Sequence, residues 1–146
     1  MKMYDNFTLD EFTKSDTARR LHIDNAPPVE AVCHIGELVG GILQPLREAW
    51  GGPIHIRSGY RCKALNDAIP GSSKTSAHLM GWAADCVPEN KEDFDSFCDF
   101  TREFVKAKKI PFDQIIIESS GRARWLHIAV RDQKARQRGM LFRMDL

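Results

Sequence analysis

"FDQIIIESSGRARWLHIAV", Phe112 to Val130, decides how this chain is read. Two runs rich in β-branched and aromatic residues, "FDQIIIE" and "WLHIAV", are separated by "SSGRAR". Runs of that composition on either side of a Ser- and Gly-containing segment predict two antiparallel strands and a hairpin loop. A third run, "MLFRMD" (Met140 to Asp145), is another strand candidate. Immediately upstream, "NKEDFDSFCDFTREFVKAKK" (Asn90 to Lys109) is the clearest helix. Phe94, Phe97, Cys98, Thr101, Phe104 and Val105 fall on one face, Asn90 is placed to cap, acids fill the first turn and lysines the last.

Working outward, "WAADCV" (Trp82 to Val87) reads as a buried strand and "PIHIRSGY" (Pro53 to Tyr60) as a short strand with Ile54 and Ile56 on one side. "KALNDA" is a helical turn and "IPGSSKTS" a loop by composition. "NAPPVEA" opens a helix, since proline is tolerated in a first turn. Val29, Val32, Ile35, Val39, Ile42, Leu43 and Leu46 continue it at helical spacing. Pro45 is expected to kink this helix or mark its last turn, and Gly51-Gly52 to end it. "FTLDEFTKSDTARRLHIDN" reads as a short helix from Leu9 followed by an irregular lead-in. Helices first, then strands mixed with one helix, give an α+β domain with a mostly antiparallel sheet flanked by helices.

The bulk properties narrow the function classes. The chain has 146 residues, which fits one domain spanning 1–146. Hydrophobic content is 42% and charged content 28%, ordinary for a soluble globular protein. The net charge of +1 gives no field that would attract nucleic acid. No apolar run is long enough for a membrane span, and the polar start "MKMYDNFTLDEF" has no secretory h-region, so the chain is expected to be cytoplasmic when made. Cys33, Cys62, Cys86 and Cys98 include no CxxC pair and read as reduced thiols, with a Cys62–Cys86 pairing left open.

The chemistry-bearing residues gather in "TSAHLMGWAAD", Thr75 to Asp85, and "WLHIAV". A catalytic zinc commonly takes three protein ligands and leaves one position open. His78 and Asp85 are candidates, with Gly81 allowing a sharp turn between them, and His127 is a third on the C-terminal strand. Asp85 on an apolar strand needs a partner for its charge. On spacing alone a hydrogen-bonded core histidine fits His78 and His127 as well as a ligand does. His22, His34 and His55 fall in the lead-in, on the long helix and on the far side of a short strand, and read as surface or packing residues.

The wider pattern "SGYRCKALNDAIPGSSKTSAHLMGWAADC" with "WLHIAV" resembles the D-alanyl-D-alanine carboxypeptidase family of zinc peptidases, which shares its fold with Hedgehog signalling domains and includes phage endolysins and D-Ala-D-Ala dipeptidases. The family signature, SGYR, an Asn, SxHxxGxAxD and WxH, matches Ser58–Arg61, Asn66, Ser76–Asp85 and Trp125 with His127. The resemblance covers about Phe7 to Val130 and implies one Zn2+ per chain on His78, Asp85 and His127. It implies that Arg61 faces the substrate carbonyl or carboxylate, and that a peptidoglycan peptide is cut by a monomeric, endolysin-like enzyme of phage or prophage type acting on the cell wall. The bond would be D-Ala-D-Ala or L-Ala-D-Glu. Ser76 reads as a donor to substrate or a cap of its loop, and Trp125, on the His127 face by alternation, as a wall of the site or core packing.

The chain departs from the pattern at the general base. Many relatives carry an acid three positions before the last histidine, where this chain has Arg124. Small relatives close the preceding strand with Glu, which here is Glu118. If Glu118 opposes Trp125 and Ile116 opposes His127, Glu118 lies diagonal to His127 on one face; a one-residue slip turns it away. Asp113 is a more remote candidate, better suited to a strand-start cap. A non-catalytic Hedgehog-like zinc domain and a D-Ala-D-Ala dipeptidase are the alternative readings. The basic stretch "RDQKARQRG" reads as a solvated loop or a contact for anionic wall polymers.

Overall fold

A hairpin forms at Phe112–Val130, and it is the centre of the sheet. In the computed structural model, which describes residues 1–145, the elements run β1 (Lys2–Tyr4), β2 (Phe7–Thr8), α1 (Leu9–Thr13), α2 (Asp16–Arg20), α3 (Val29–Leu38), a π-helical turn (Val39–Leu43), α4 (Gln44–Trp50), β3 (Ile54–Ser58), α5 (Lys63–Ala68), a 3-10 turn (Ala77–Met80), β4 (Ala83–Pro88), a second 3-10 turn (Lys91–Asp93), α6 (Phe94–Ala107), β5 (Gln114–Ser120), β6 (Ala123–Ala129) and β7 (Met140–Asp145). The five-stranded sheet has the order β3-β4-β6-β5-β7. Its first three pairings are antiparallel; β7 joins β5 in parallel, with Gln114 beside Met140 and Glu118 beside Met144. The α+β class expected from the element order is the class observed.

Alternation gives this sheet two unlike faces. Ile54, Ile56, Ala84, Cys86, Leu126, Ile128, Ile115 and Ile117 point to the helical side and are buried with Ile35, Leu38, Ile42, Leu43, Leu46 and Phe97 in one core. Asp85, His127, Trp125, Ile116 and Glu118 share the other face. Helix α6 lies on the core side because Phe94, Phe97, Cys98, Thr101 and Val105 recur at helical spacing and are buried. Burial pushes the Cys98 thiol up to about 12, and all four cysteines are free thiols.

Several local expectations are corrected. Asn90 does not cap α6: it precedes a 3-10 turn, its side chain donates to Asp93, and the α-helix begins at Phe94. Of the two expectations for Pro45, a kink or a last turn, the last turn is not observed: Pro45 sits in the first turn of α4, directly after a π-helical irregularity. The π-helical turn just before it widens the helix where the proline ring would meet the carbonyl four residues back, so the chain passes through without stopping. The helix ends at Gly51, whose φ of 81° is left-handed. Val29, placed on the inner face by periodicity, is 80% exposed, because the helix starts there before reaching the core. The lead-in is not wholly irregular: it contains α2, and residues before Leu9 form the small β1–β2 sheet. The hairpin loop is shorter than "SSGRAR", with Ser120 paired to Ala123 across Gly121-Arg122.

Candidate metal centre

Three elements converge to place the centre. His78 sits on the Ala77–Met80 turn, Asp85 on β4 and His127 on β6, where Asp85 and His127 are directly paired across the ladder. All three are buried, and a ligand atom from each lies within 4.8 Å of the others. The turn carrying His78 closes on Gly81, whose φ is +81°; a Cβ there would stand 2.6 Å from the Ala31 carbonyl. Only glycine meets both demands, so the stretch between the two ligands folds back against α3. His34, on α3, braces the same turn by hydrogen bonding the Met80 carbonyl at 2.6 Å and stacking on Trp82 at 3.8 Å.

The outward nitrogens of both imidazoles are engaged. His78 Nδ1 lies 2.6 Å from the Gly59 carbonyl, and His127 Nε2 lies 2.9 Å from Gln114 Oε1. Both partners are acceptors, so both nitrogens donate, and this fixes the tautomers of neutral rings. His78 Nε2 and His127 Nδ1 then present lone pairs to Asp85 Oδ1, each at 3.2 Å. Three acceptors facing one another in a buried site repel unless a positive charge lies among them. Ligands about 2.0–2.2 Å from a tetrahedral zinc stand roughly 3.4 Å apart. The donor set, its spacing and its oriented imidazoles therefore fit zinc.

Asp85 is held as a carboxylate. Burial disfavours its charge, and the Arg61 guanidinium beside it favours it. Its other oxygen, Oδ2, accepts from Arg61 Nη2 at 3.4 Å. Arg61 also donates from Nε to Ser58 and from Nη1 to Asn66. Burial pushes the Arg61 guanidinium down, opposed by the charges of Asp85 and Glu118.

The SGYR segment thus builds the centre from below: the Gly59 carbonyl orients His78, and Arg61 N–H bonds the His78 carbonyl. Gly59 is itself enclosed, since a Cβ would stand 2.5 Å from the Phe12 carbonyl.

A cleft of about 550 Å3 opens over the cluster, lined in part by Arg61, Ser76, Glu118 and Trp125. Ser76 Oγ accepts from the His78 N–H, so it caps the turn while its hydroxyl proton stays available. Ile116 opposes His127 and Glu118 opposes Trp125, which puts the half-buried Glu118 on the metal face. The Trp125 indole N–H donates to Glu118 Oε1 at 2.7 Å. Asp113 is elsewhere engaged: its carboxylate takes three hydrogen bonds from Arg138. Arg124 points to the core side, over Phe94 and paired with Asp95. His55 pairs with Glu89, and His22 follows α2.

A family model described as Peptidase M15 matches residues 5–129, a span that holds all three candidate ligands. The chain belongs to the peptidase M15 family. No curated protein matches the sequence. M15 peptidases are zinc-dependent, and the match ends at Ala129, so β7 lies beyond it. Sequence reasoning missed Gln114 and the Gly59 carbonyl in this M15 peptidase. Alternation from Ile116 would have put Gln114 on the His127 face; a backbone acceptor leaves no trace in sequence.

Proposed function

We propose that this M15 peptidase hydrolyses peptide bonds in peptidoglycan stem peptides, using one zinc per chain held by His78, Asp85 and His127. The observation that carries the reading is the convergence of two imidazole lone pairs and one ionised carboxylate oxygen, each imidazole fixed by an acceptor behind it. Zinc in such a site supplies Lewis-acid polarisation of the scissile carbonyl and acidifies water near neutral pH.

The protein's own groups supply the rest. Glu118 is the general base: with Oε1 fixed by the Trp125 N–H, Oε2 takes a proton from the attacking water and hands it to the leaving amine nitrogen. The hydroxyl adds to the carbonyl carbon, and the C–N bond breaks once the amine nitrogen has received that proton. Arg61 has five N–H donors and uses three on Ser58, Asn66 and Asp85. One N–H on each terminal nitrogen stays available to a substrate carbonyl or carboxylate oxygen. Ser76 adds a hydroxyl donor and Trp125 an apolar wall.

The two bonds in question are D-Ala-D-Ala and L-Ala-D-Glu, the targets of an endolysin-like enzyme at the cell wall. A dipeptidase on free D-Ala-D-Ala is disfavoured because Arg57 lines both this cleft and a second cavity of about 610 Å3, giving room for a longer chain. Mass spectrometry of purified peptidoglycan after digestion tests the reading. New stem-peptide termini at one of the two bonds are expected. Intact stem peptides from protein carrying stoichiometric zinc would instead support a non-catalytic binding domain.

A further inference from the structure

Two arginines flank the centre, and they are in opposite states. Arg61 is nearly enclosed, and all three of its nitrogens are bonded to protein. Arg57, four residues earlier on β3, is exposed, and its guanidinium lies 4.4 Å from the centroid of the Trp125 ring. That contact involves no hydrogen bond, and the guanidinium N–H groups have no carboxylate partner among the described residues. Trp125 is itself buried and fixed by its hydrogen bond to Glu118, so the ring is a rigid platform.

Arg57 stands where the metal cleft meets the second cavity. Of the side chains lining that cavity, Arg124 is paired with Asp95 and His55 with Glu89. Arg57, Lys91 and Arg122 are left without an acidic partner among the described residues, and Glu89 is the one acid on the wall. The cavity is therefore cationic, with one guanidinium pre-positioned at its mouth. A planar fork held by an aromatic face suits a carboxylate, which accepts two parallel N–H bonds.

We propose that Arg57, held over Trp125, is a specificity-determining residue that binds a carboxylate of the peptide substrate away from the scissile bond, with Arg122 adding charge on the wall of the second cavity. This rests on the peptidase reading and deepens it: the substrate is an acidic peptide extending past the metal centre. For cleavage at D-Ala-D-Ala, stem peptides carry such a group in the free carboxylate of their D-Glu residue.

The test uses two synthetic stem pentapeptides, one with that internal carboxylate free and one with it amidated. Each is titrated calorimetrically against zinc-loaded wild-type protein and the R57Q variant, and hydrolysis is followed in parallel. Wild type should bind the free acid about tenfold more tightly, the scale of one charge-assisted pair. Arg57→Gln should weaken binding of the free acid by the same factor, and removing guanidinium and carboxylate together should cost no more than removing either. Arg122→Gln should give a smaller loss of the same kind. Equal binding of the two peptides, with hydrolysis intact, overturns the subsite and leaves the peptidase reading. Carboxylate-dependent binding without hydrolysis supports the subsite and overturns the peptidase reading. Binding of neither peptide overturns both.

Discussion

The two faces of the β4–β6–β5 sheet are made by the same three strands, yet they obey different rules. On the helical side Ala84, Cys86, Leu126, Ile128, Ile115 and Ile117 pack into an apolar core. On the cleft side, one residue along each strand, Asp85, His127 and Glu118 sit among polar partners. The core face is held by area removed from water, which is tolerant of residue identity. The cleft face is held by directed contacts, so a substitution there is expected to remove function before it removes the fold.

His127→Ala against Leu126→Ala separates the faces most sharply. His127→Ala should abolish hydrolysis and weaken zinc binding by at least about a hundredfold, since it removes a ligand rather than a support for one. Its thermal midpoint should fall less than that of Leu126→Ala. Leu126 is fully buried, and truncating it should cost about 2–5 kcal/mol by chemical denaturation while the folded fraction still takes up zinc. Zinc loss in Leu126→Ala, with little loss of stability, would erase the distinction.

Gln114→Ala probes support behind the cleft face. It removes the acceptor on His127 Nε2 and should weaken zinc binding by about 10–100-fold in a competition titration, with the fold kept.

The smallest effect lies at the rim, where Arg138 holds Asp113. Burial pushes the Asp113 carboxyl up, but the hydrogen bonds from Arg138 push it down further, so its folded value lies below the usual one. Its contribution is therefore present above the ordinary carboxylate range and is lost as pH falls through the lower folded value. Arg138 is half-exposed, so Arg138→Gln should cost about 1 kcal/mol or less at neutral pH. The gap from wild type should close as pH falls below about 4 in denaturation curves. A gap that widens in acid would show another group at work.

The sequence made one face more legible than the other. Helix α6 and strands β4 to β6 were readable because burial imposes a period, and the Glu118–Trp125 register is the one observed of the two that the hairpin left open. His78, Asp85 and His127 could be named from spacing and resemblance, and they come together here. What stayed hidden was what does not repeat. The π-helical turn before Pro45 depends on how a helix absorbs a missing donor, and the β1–β2 pair is too short to carry a pattern. Arg57 was not singled out in the sequence, because only the fold sets it on Trp125. Arg61 was named from the SGYR motif, but its enclosure beside Asp85 depends on the fold around Gly59.

The rate of stem-peptide hydrolysis by zinc-loaded Glu118→Gln tests the central claim most directly. The glutamine keeps the shape and an oxygen for the Trp125 N–H but has no carboxylate to take a proton. Zinc content equal to wild type with hydrolysis slowed by about 10^2–10^4-fold is the predicted result. Hydrolysis at the wild-type rate would contradict it and move the general base away from the metal face.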